Sequence, residues 1–266
     1  MSLDFVPVEI LFVATIIVVM GAVEGGYMLG RKAHRHSEDE KESPVSAIAG
    51  SILGLLAFIL AFSFGIVTER YDARKGLVRD EANAIRAAWL RSDLLPEKTE
   101  RAQAAGLLKD YLGQRLAAVM SGDMTQVRKA LVDSDRIQRH LWDMAVAKTR
   151  TDMNSDYASL YLESLNDVIS VHAMRVAVGM QTRTPLGIWA VLYTLIILGM
   201  VAIGYQTGIA GSRRSWAVLI LAISLAMVIS MIAALDNPAS GYLTVSHQPL
   251  QDVQALMSAG SEAQSK

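Results

Sequence analysis

The 266-residue chain contains no cysteine. That absence excludes disulfides, zinc-thiolate sites, iron-sulfur clusters and cysteine nucleophiles, and it leaves the redox compartment unmarked. Prolines number only six, so helices can run long without a ring to break them. The formal net charge is −1, too even for a global attraction to nucleic acid or to an anionic surface, and no nucleic-acid partner is expected. No G-x-S-x-G, phosphate-loop, H-E-x-x-H or dinucleotide fingerprint occurs. Catalysis therefore has no visible foothold, and neither an enzyme activity nor a cofactor is expected. The opening "MSLDFVPVEI" lacks the basic stretch of a cleaved secretory signal, so the first apolar run is expected to stay.

What the chain has in excess is apolar length. Hydrophobic residues make up 52% and the mean hydropathy is +0.31. The apolar residues concentrate in windows of about 20, the thickness of a bilayer core: Glu9 to Gly30, Pro44 to Val67, Pro185 to Tyr205 and Ser215 to Leu235. The expected fold is an all-α membrane protein with four transmembrane helices and a large helical bundle inserted between the second and third. Expected domains are 1–67, the first two spans with a basic loop; 68–184, the extramembrane four-helix bundle; 185–235, the last two spans; and 236–266, a tail with a short amphipathic helix.

Inside 68–184 the residues Ala105, Leu108, Leu112, Leu116 and Val119 recur at steps of three and four, as do Tyr157, Leu160, Ser164, Val168 and Val171. Breaks fall at Pro96, at Gly122 with Asp123, and at Asp152 with Asn154. They delimit an extension of the second span, Glu97 to about Met120, Thr125 to about Lys148, and about Asp152 to Thr182. In the tail, Leu250, Val253, Leu256 and Met257 share one side of a helix expected over Pro249 to Ala259, whose natural dock is the foot of the bundle.

Sidedness follows from loop cations. The first loop carries Arg31, Lys32, Arg35 and Lys41, and the loop between the last two spans carries Arg213 and Arg214, whereas the tail carries only Lys266. Cytoplasmic loops are the basic ones. Both termini and the bundle are then expected outside the cytoplasm.

The second span is the most informative segment. Ala47, Gly50, Gly54, Ala57, Ala61 and Gly65 recur at steps of three and four, a flat face suited to close helix packing and hence to a homo-oligomer. Phe58, Phe62 and Ile66 follow one another at steps of four, with Arg70 and Arg74 just beyond. One reading is a bulky constriction opening to a basic mouth, as in pores that gate by dewetting. The other has the phenylalanines packing or meeting lipid, and the arginines paired with Glu69, Asp72 or Asp80 at an interface. A step of four also drifts about 40° around a helix, so the row cannot all face one axis. Glu24, set among Gly21, Gly25 and Gly26, is the one acid well inside an apolar run. It is either a proton or ion site or a residue reaching the interface near Arg31. His34 and His36, near Glu38, Asp39 and Glu40, lack rigid ligand spacing, and no metal site is expected. His172 reads as a satisfied surface histidine, because no nucleophile motif accompanies it.

Two stretches carry a family likeness: "GLLAFILAFSFGIVTERYDARKGLVRDEANAIRAAWLRSDLLPE", Gly54 to Glu97, and "LDNPASGYLTVSHQPL", Leu235 to Leu250. With the four-span layout around them, the chain resembles the bacterial bestrophin-like domain proteins. The resemblance implies a bacterial inner membrane and kinship with pentameric anion channels whose second membrane helix carries an apolar neck. Phe58, Phe62 and Ile66 match that neck. It also implies a cytosolic helical domain, opposite to the side given by the loop cations. The expected function is an oligomeric ion channel, most simply for anions, lined by the second span. The alternative is a non-enzymatic sensor or scaffold whose bundle binds an envelope partner. The lipid bilayer, further copies of the chain and inorganic ions are the expected partners.

Overall fold

The computed structural model describes residues 7–34, 42–151, 156–181, 184–211, 216–237 and 243–264. Arg35, His36, Glu38, Asp39, Glu40, Lys41, Asp152, Asn154, Thr182, Arg213, Arg214 and Lys266 therefore lie outside the described residues. The elements in chain order are α1 (Val8–His34), α2 (Glu42–Ser92), α3 (Lys98–Ser121), α4 (Met124–Thr151), α5 (Asp156–Val176), a π-helical turn (Ala177–Gln181), α6 (Leu186–Ile209), α7 (Ala217–Asp236) and α8 (Gln248–Gln264). No strand occurs among the described residues. Four of these helices, α1, α2, α6 and α7, are long and apolar enough to cross a membrane.

The helix ends have local causes. With no proline between Pro44 and Pro96, α2 continues unbroken until a series of turn bonds, from Asp93 N to Leu90 O through Leu95 N to Ser92 O, closes it before Pro96. Gly122 ends α3 at φ +64°, a left-handed conformation that glycine adopts without steric cost. One residue on, the Asp123 carboxylate accepts the Thr125 N–H at 2.8 Å and caps the start of α4. The π-helical turn after α5 had no signal in the sequence beyond Gly179.

The chain divides into two compact units. The first comprises residues 1–71 and 183–244, the second residues 72–182 and 245–266. In the first, α1 lies against α6 and α7. Its core gathers Val19, Leu56, Leu60, Val67, Leu192, Ile196, Met200, Ala222 and Ile229. The closest approach is between α1 and α6. A Cβ added to Gly26 would collide with the Val201 carbonyl oxygen, one on Gly30 with that of Tyr205, and one on Gly204 with that of Val23. Glycines four apart on each helix thus let the two backbones touch.

The second unit is built on a larger soluble-type core. Val78, Ile85, Leu108, Tyr111, Leu112, Leu141, Tyr161, Leu165 and Val168 from α2 to α5 pack with Leu250, Val253 and Met257 from α8. The tail helix is part of this core; Leu256 is only half-buried. A buried leucine, valine or methionine side chain contributes about 1.5–3 kcal/mol, and Leu250, Val253 and Met257 together hold a short helix that could not persist alone. At its far end Gly260 lies tightly against the ring of Trp89.

Candidate functional site

In the first unit α2 presents three different faces. Ala49, Leu56, Leu60, Ser63 and Val67 are buried and form the line turned to the protomer's own helices. At about 100° per residue, the small residues Gly50, Gly54, Ala57, Ala61 and Gly65 fall roughly 90–170° to one side of that line, and all are exposed. A Cβ on Gly50, Gly54 or Gly65 would meet nothing within 4 Å. The flat face is therefore uncovered in the single chain, whereas the close backbone contact seen within the protomer is between α1 and α6.

Phe58 and Phe62 are 66% and 61% exposed. Phe58 points roughly opposite the buried line, and each further step of four turns about 40° back toward it. Ile66 and Arg70 are accordingly half-buried. Arg70 Nη1 donates to Asp236 Oδ1 at 3.3 Å and to Thr184 Oγ1 at 3.1 Å. Arg74 is 7% exposed. Within the protomer, helical drift carries Arg70 and Arg74 off the face of Phe58 and Phe62.

Asp236, just past the last apolar run, has a role that the sequence did not announce. Its carboxylate accepts the Thr184 N–H at 3.1 Å and the Thr184 hydroxyl at 2.8 Å as well as Arg70. The cluster ties the last residues of α7 to the start of α6 and to α2. Charge-assisted bonds of this kind are stronger than neutral ones where water is scarce. Deeper in the same unit, Thr15 Oγ1 on α1 and Tyr193 Oη on α6 share a hydrogen bond of 2.9 Å. Glu24 on α1 is half-buried.

The second unit contains a polar cluster that the sequence did not announce. Glu81, fully buried on α2, accepts from Arg115 Nε of α3 at 3.0 Å, from Arg175 Nη1 of α5, and from the Tyr111 hydroxyl at 3.2 Å. Tyr111 Oη also lies 2.9 Å from His172 Nδ1 and receives Gln138 Nε2 of α4 at 3.3 Å. His172 Nε2 lies 3.7 Å from Asp135 Oδ1, and Arg175 Nη2 lies 3.2 Å from His247 Nδ1. His172 is buried rather than on the surface, correcting the sequence expectation. Burial, aided by Arg115, pushes its pKa down to about 4; burial with Arg175 and Arg115 does the same to His247. Burial raises the Tyr111 hydroxyl to about 12. Both histidines are therefore neutral at pH 7. The available signal was Glu81 itself, a carboxylate on the same helical line as Val78, Ala82 and Ile85. Among the described residues no grouping of histidine, aspartate and glutamate could hold a metal ion.

The profile of the bestrophin-like domain family matches residues 16–250. No curated protein matches. Among solved structures, a point variant of a bacterial bestrophin homologue from Klebsiella pneumoniae is similar with a TM-score of 0.61 at 12% identity, over 94% of this chain and 97% of that one. A membrane protein, also solved as a point variant, is similar with a TM-score of 0.60 at 12% identity, over 95% of this chain and 96% of that one. At that identity the likeness carries the fold and leaves the chemistry of individual residues to be argued from this chain.

Proposed function

We propose, from the premise that the chain belongs to the bestrophin-like domain family, that this multi-pass membrane protein is an oligomeric ion channel for anions, with α2 lining the path. One observation supports this reading above others. Phe58 and Phe62 stand on the face of a membrane-spanning helix turned away from the protomer's own core, and the small residues occupy the face between. In a ring of copies, such a helix turns its phenylalanines toward the axis while Gly50, Gly54, Ala57, Ala61 and Gly65 receive the neighbouring copy at short distance. Ile66 then marks where the row leaves the lumen, and the apolar ring sets a barrier that conducts only when wetted. Arg70 and Arg74 are not required at the mouth. The Arg70 ion pair with Asp236 instead fixes the end of the span that carries the ring.

The test is anion efflux from liposomes at matched oligomer content. Phe62→Ala removes bulk from a constriction, so it should raise efflux several-fold over wild type with the assembly intact. Background-level efflux from both would overturn the channel and favour a scaffold or sensor, which has no lumen to widen. Sidedness is a separate proposal. The loop cations put the second unit outside the cytoplasm, so in intact cells an impermeant thiol reagent should label Ser121→Cys and spare Ser37→Cys. The reverse pattern would put that unit in the cytosol.

A further inference from the structure

The buried cluster of the second unit is not used by the conduction proposal, and its geometry has a feature that packing alone does not require. Among the described residues, the segment leading into α8 is tied to it by the bond from Arg175 Nη2 to His247 Nδ1. His247 also begins the helix, because its carbonyl accepts the N–H groups of Leu250 and Gln251 at 3.0 and 3.2 Å. The side chain that faces the charges and the backbone that starts the helix therefore belong to one residue. Only a neutral imidazole can accept the guanidinium proton; an imidazolium presents donors on both nitrogens.

The charges around it oppose protonation from several elements. Facing His247 are Arg175 from α5 and Arg115 from α3, with Glu81 of α2 behind Arg175 and already occupied by both arginines and Tyr111. From its own segment, Asp252 is exposed and takes the Gln248 amide at 2.9 Å. Facing His172 are Tyr111 and Arg115 from α3, Asp135 from α4 and, one turn along its own helix, Arg175. Asp135 is the sole acidic group among these with room to compensate a new charge on His172, and its side chain is 61% exposed. Among the described residues, the acidic groups near His247 are already engaged, Glu81 by Arg115, Arg175 and Tyr111, and Asp252 by Gln248.

We propose that this cluster is a proton-operated latch for α8: protonation of His247 breaks its bond to Arg175, sets two cations against each other, and releases the tail helix from the second unit. The direction follows from linkage. Docked, His247 is held at about 4, whereas in a released tail it returns to about 6.5. The released form therefore binds more protons between those values, docking is favoured fully above pH 6.5, and it is lost as the pH falls toward 4. What opposes release is the apolar contact of Leu250, Val253 and Met257, together with the seat of Gly260 on Trp89.

The absence of cysteine makes the test direct. Nitroxides on Ala117→Cys of α3 and Ala255→Cys of α8, both exposed positions, report their separation by pulsed electron resonance in the detergent-solubilised full chain. Between about pH 7.5 and about pH 4, a single narrow distance should give way to a longer, broad distribution as the majority species, with helical circular dichroism unchanged. In His247→Gln the amide oxygen still accepts from Arg175 but gains no proton, so the narrow distance should persist across the range; His247→Asn is a second, shorter acceptor. A narrow distance down to pH 4 in the unsubstituted background would overturn the latch. So would an unchanged release in both acceptor variants, or a release that coincides with loss of the helical signal, which would be unfolding of the whole unit.

Discussion

The two units solve the same packing problem with different forces. In the first, helices meet where side chains are missing: Gly26 and Gly30 of α1 admit the backbone of α6, and Gly204 and Gly208 return the contact. In the second, helices meet around large side chains and, at the centre, around charge: Tyr111, Leu112, Tyr161 and Leu165 enclose Glu81 and its arginines. The difference is the one that lipid and water would each impose. Lipid tails are as apolar as leucine, so apolar burial gives membrane helices little reason to associate and close van der Waals contact must serve. In water, apolar burial is the dominant favourable term and leaves a surplus that tolerates a buried ion cluster, which by itself adds little to stability.

The largest effect should come from breaking the charged centre. Glu81→Ala leaves Arg115 and Arg175 buried together without their shared acceptor, and removal of one partner from a buried ion pair costs about 3–5 kcal/mol. Denaturation followed by hydrogen exchange at amides around Leu112 should show that loss, with those around Leu192 in the first unit unaffected. Equal loss in both units would mean that the division into two cores is not energetic. Glu81→Gln keeps two acceptor contacts and should cost less.

The next effect separates two glycine faces that look alike in composition. Gly26→Leu drives a side chain into the Val201 carbonyl and should cost about 1–3 kcal/mol or more, seen as lost folded yield in detergent. Gly54→Leu meets open space within the protomer. It should leave the monomer folded and shift the assembly toward smaller species on size-exclusion with light scattering. If Gly54→Leu leaves the assembly unchanged, the flat face of α2 faces lipid and the proposed ring loses its packing surface.

This contrast also marks where the sequence was legible. The spans could be read because an apolar run of bilayer length is a one-dimensional signal, and α2 could be read as continuous because no proline interrupts it. The glycine pairing could not. Gly26 and Gly30 were visible at a step of four, yet nothing in one segment says which of several small-residue faces finds its partner, and the stripe of α2 was the more regular. The same holds for the charged cluster: Glu81 meets Arg115 and Arg175 across 34 and 94 residues of chain. Each arginine alone resembles the others that line the amphipathic helices. Arg70 and Arg74 illustrate a third limit. Their step of four from Ile66 already implied a turn of about 40° per step away from the phenylalanines, but nothing near them in the sequence pointed to Asp236, which meets Arg70 from the end of α7.

The smallest effect probes a polar bond between α1 and α6 in the first unit. Thr15→Val keeps the shape of the side chain and removes the acceptor or donor for Tyr193 Oη; the hydroxyl lost also bonded the Leu11 carbonyl at 2.8 Å, one turn back on its own helix. Hydrogen bonds between membrane helices average about 0.6 kcal/mol and reach about 1.7 kcal/mol, because a separated helix finds substitutes. A double-mutant cycle with Tyr193→Phe, read by denaturation in mixed micelles, should therefore give a coupling of about 0.6 kcal/mol, a fraction of the Gly26→Leu cost. A coupling above about 2 kcal/mol would break the comparison from the other side. It would mean that polar bonding, rather than backbone contact through missing side chains, orders the helices of the first unit.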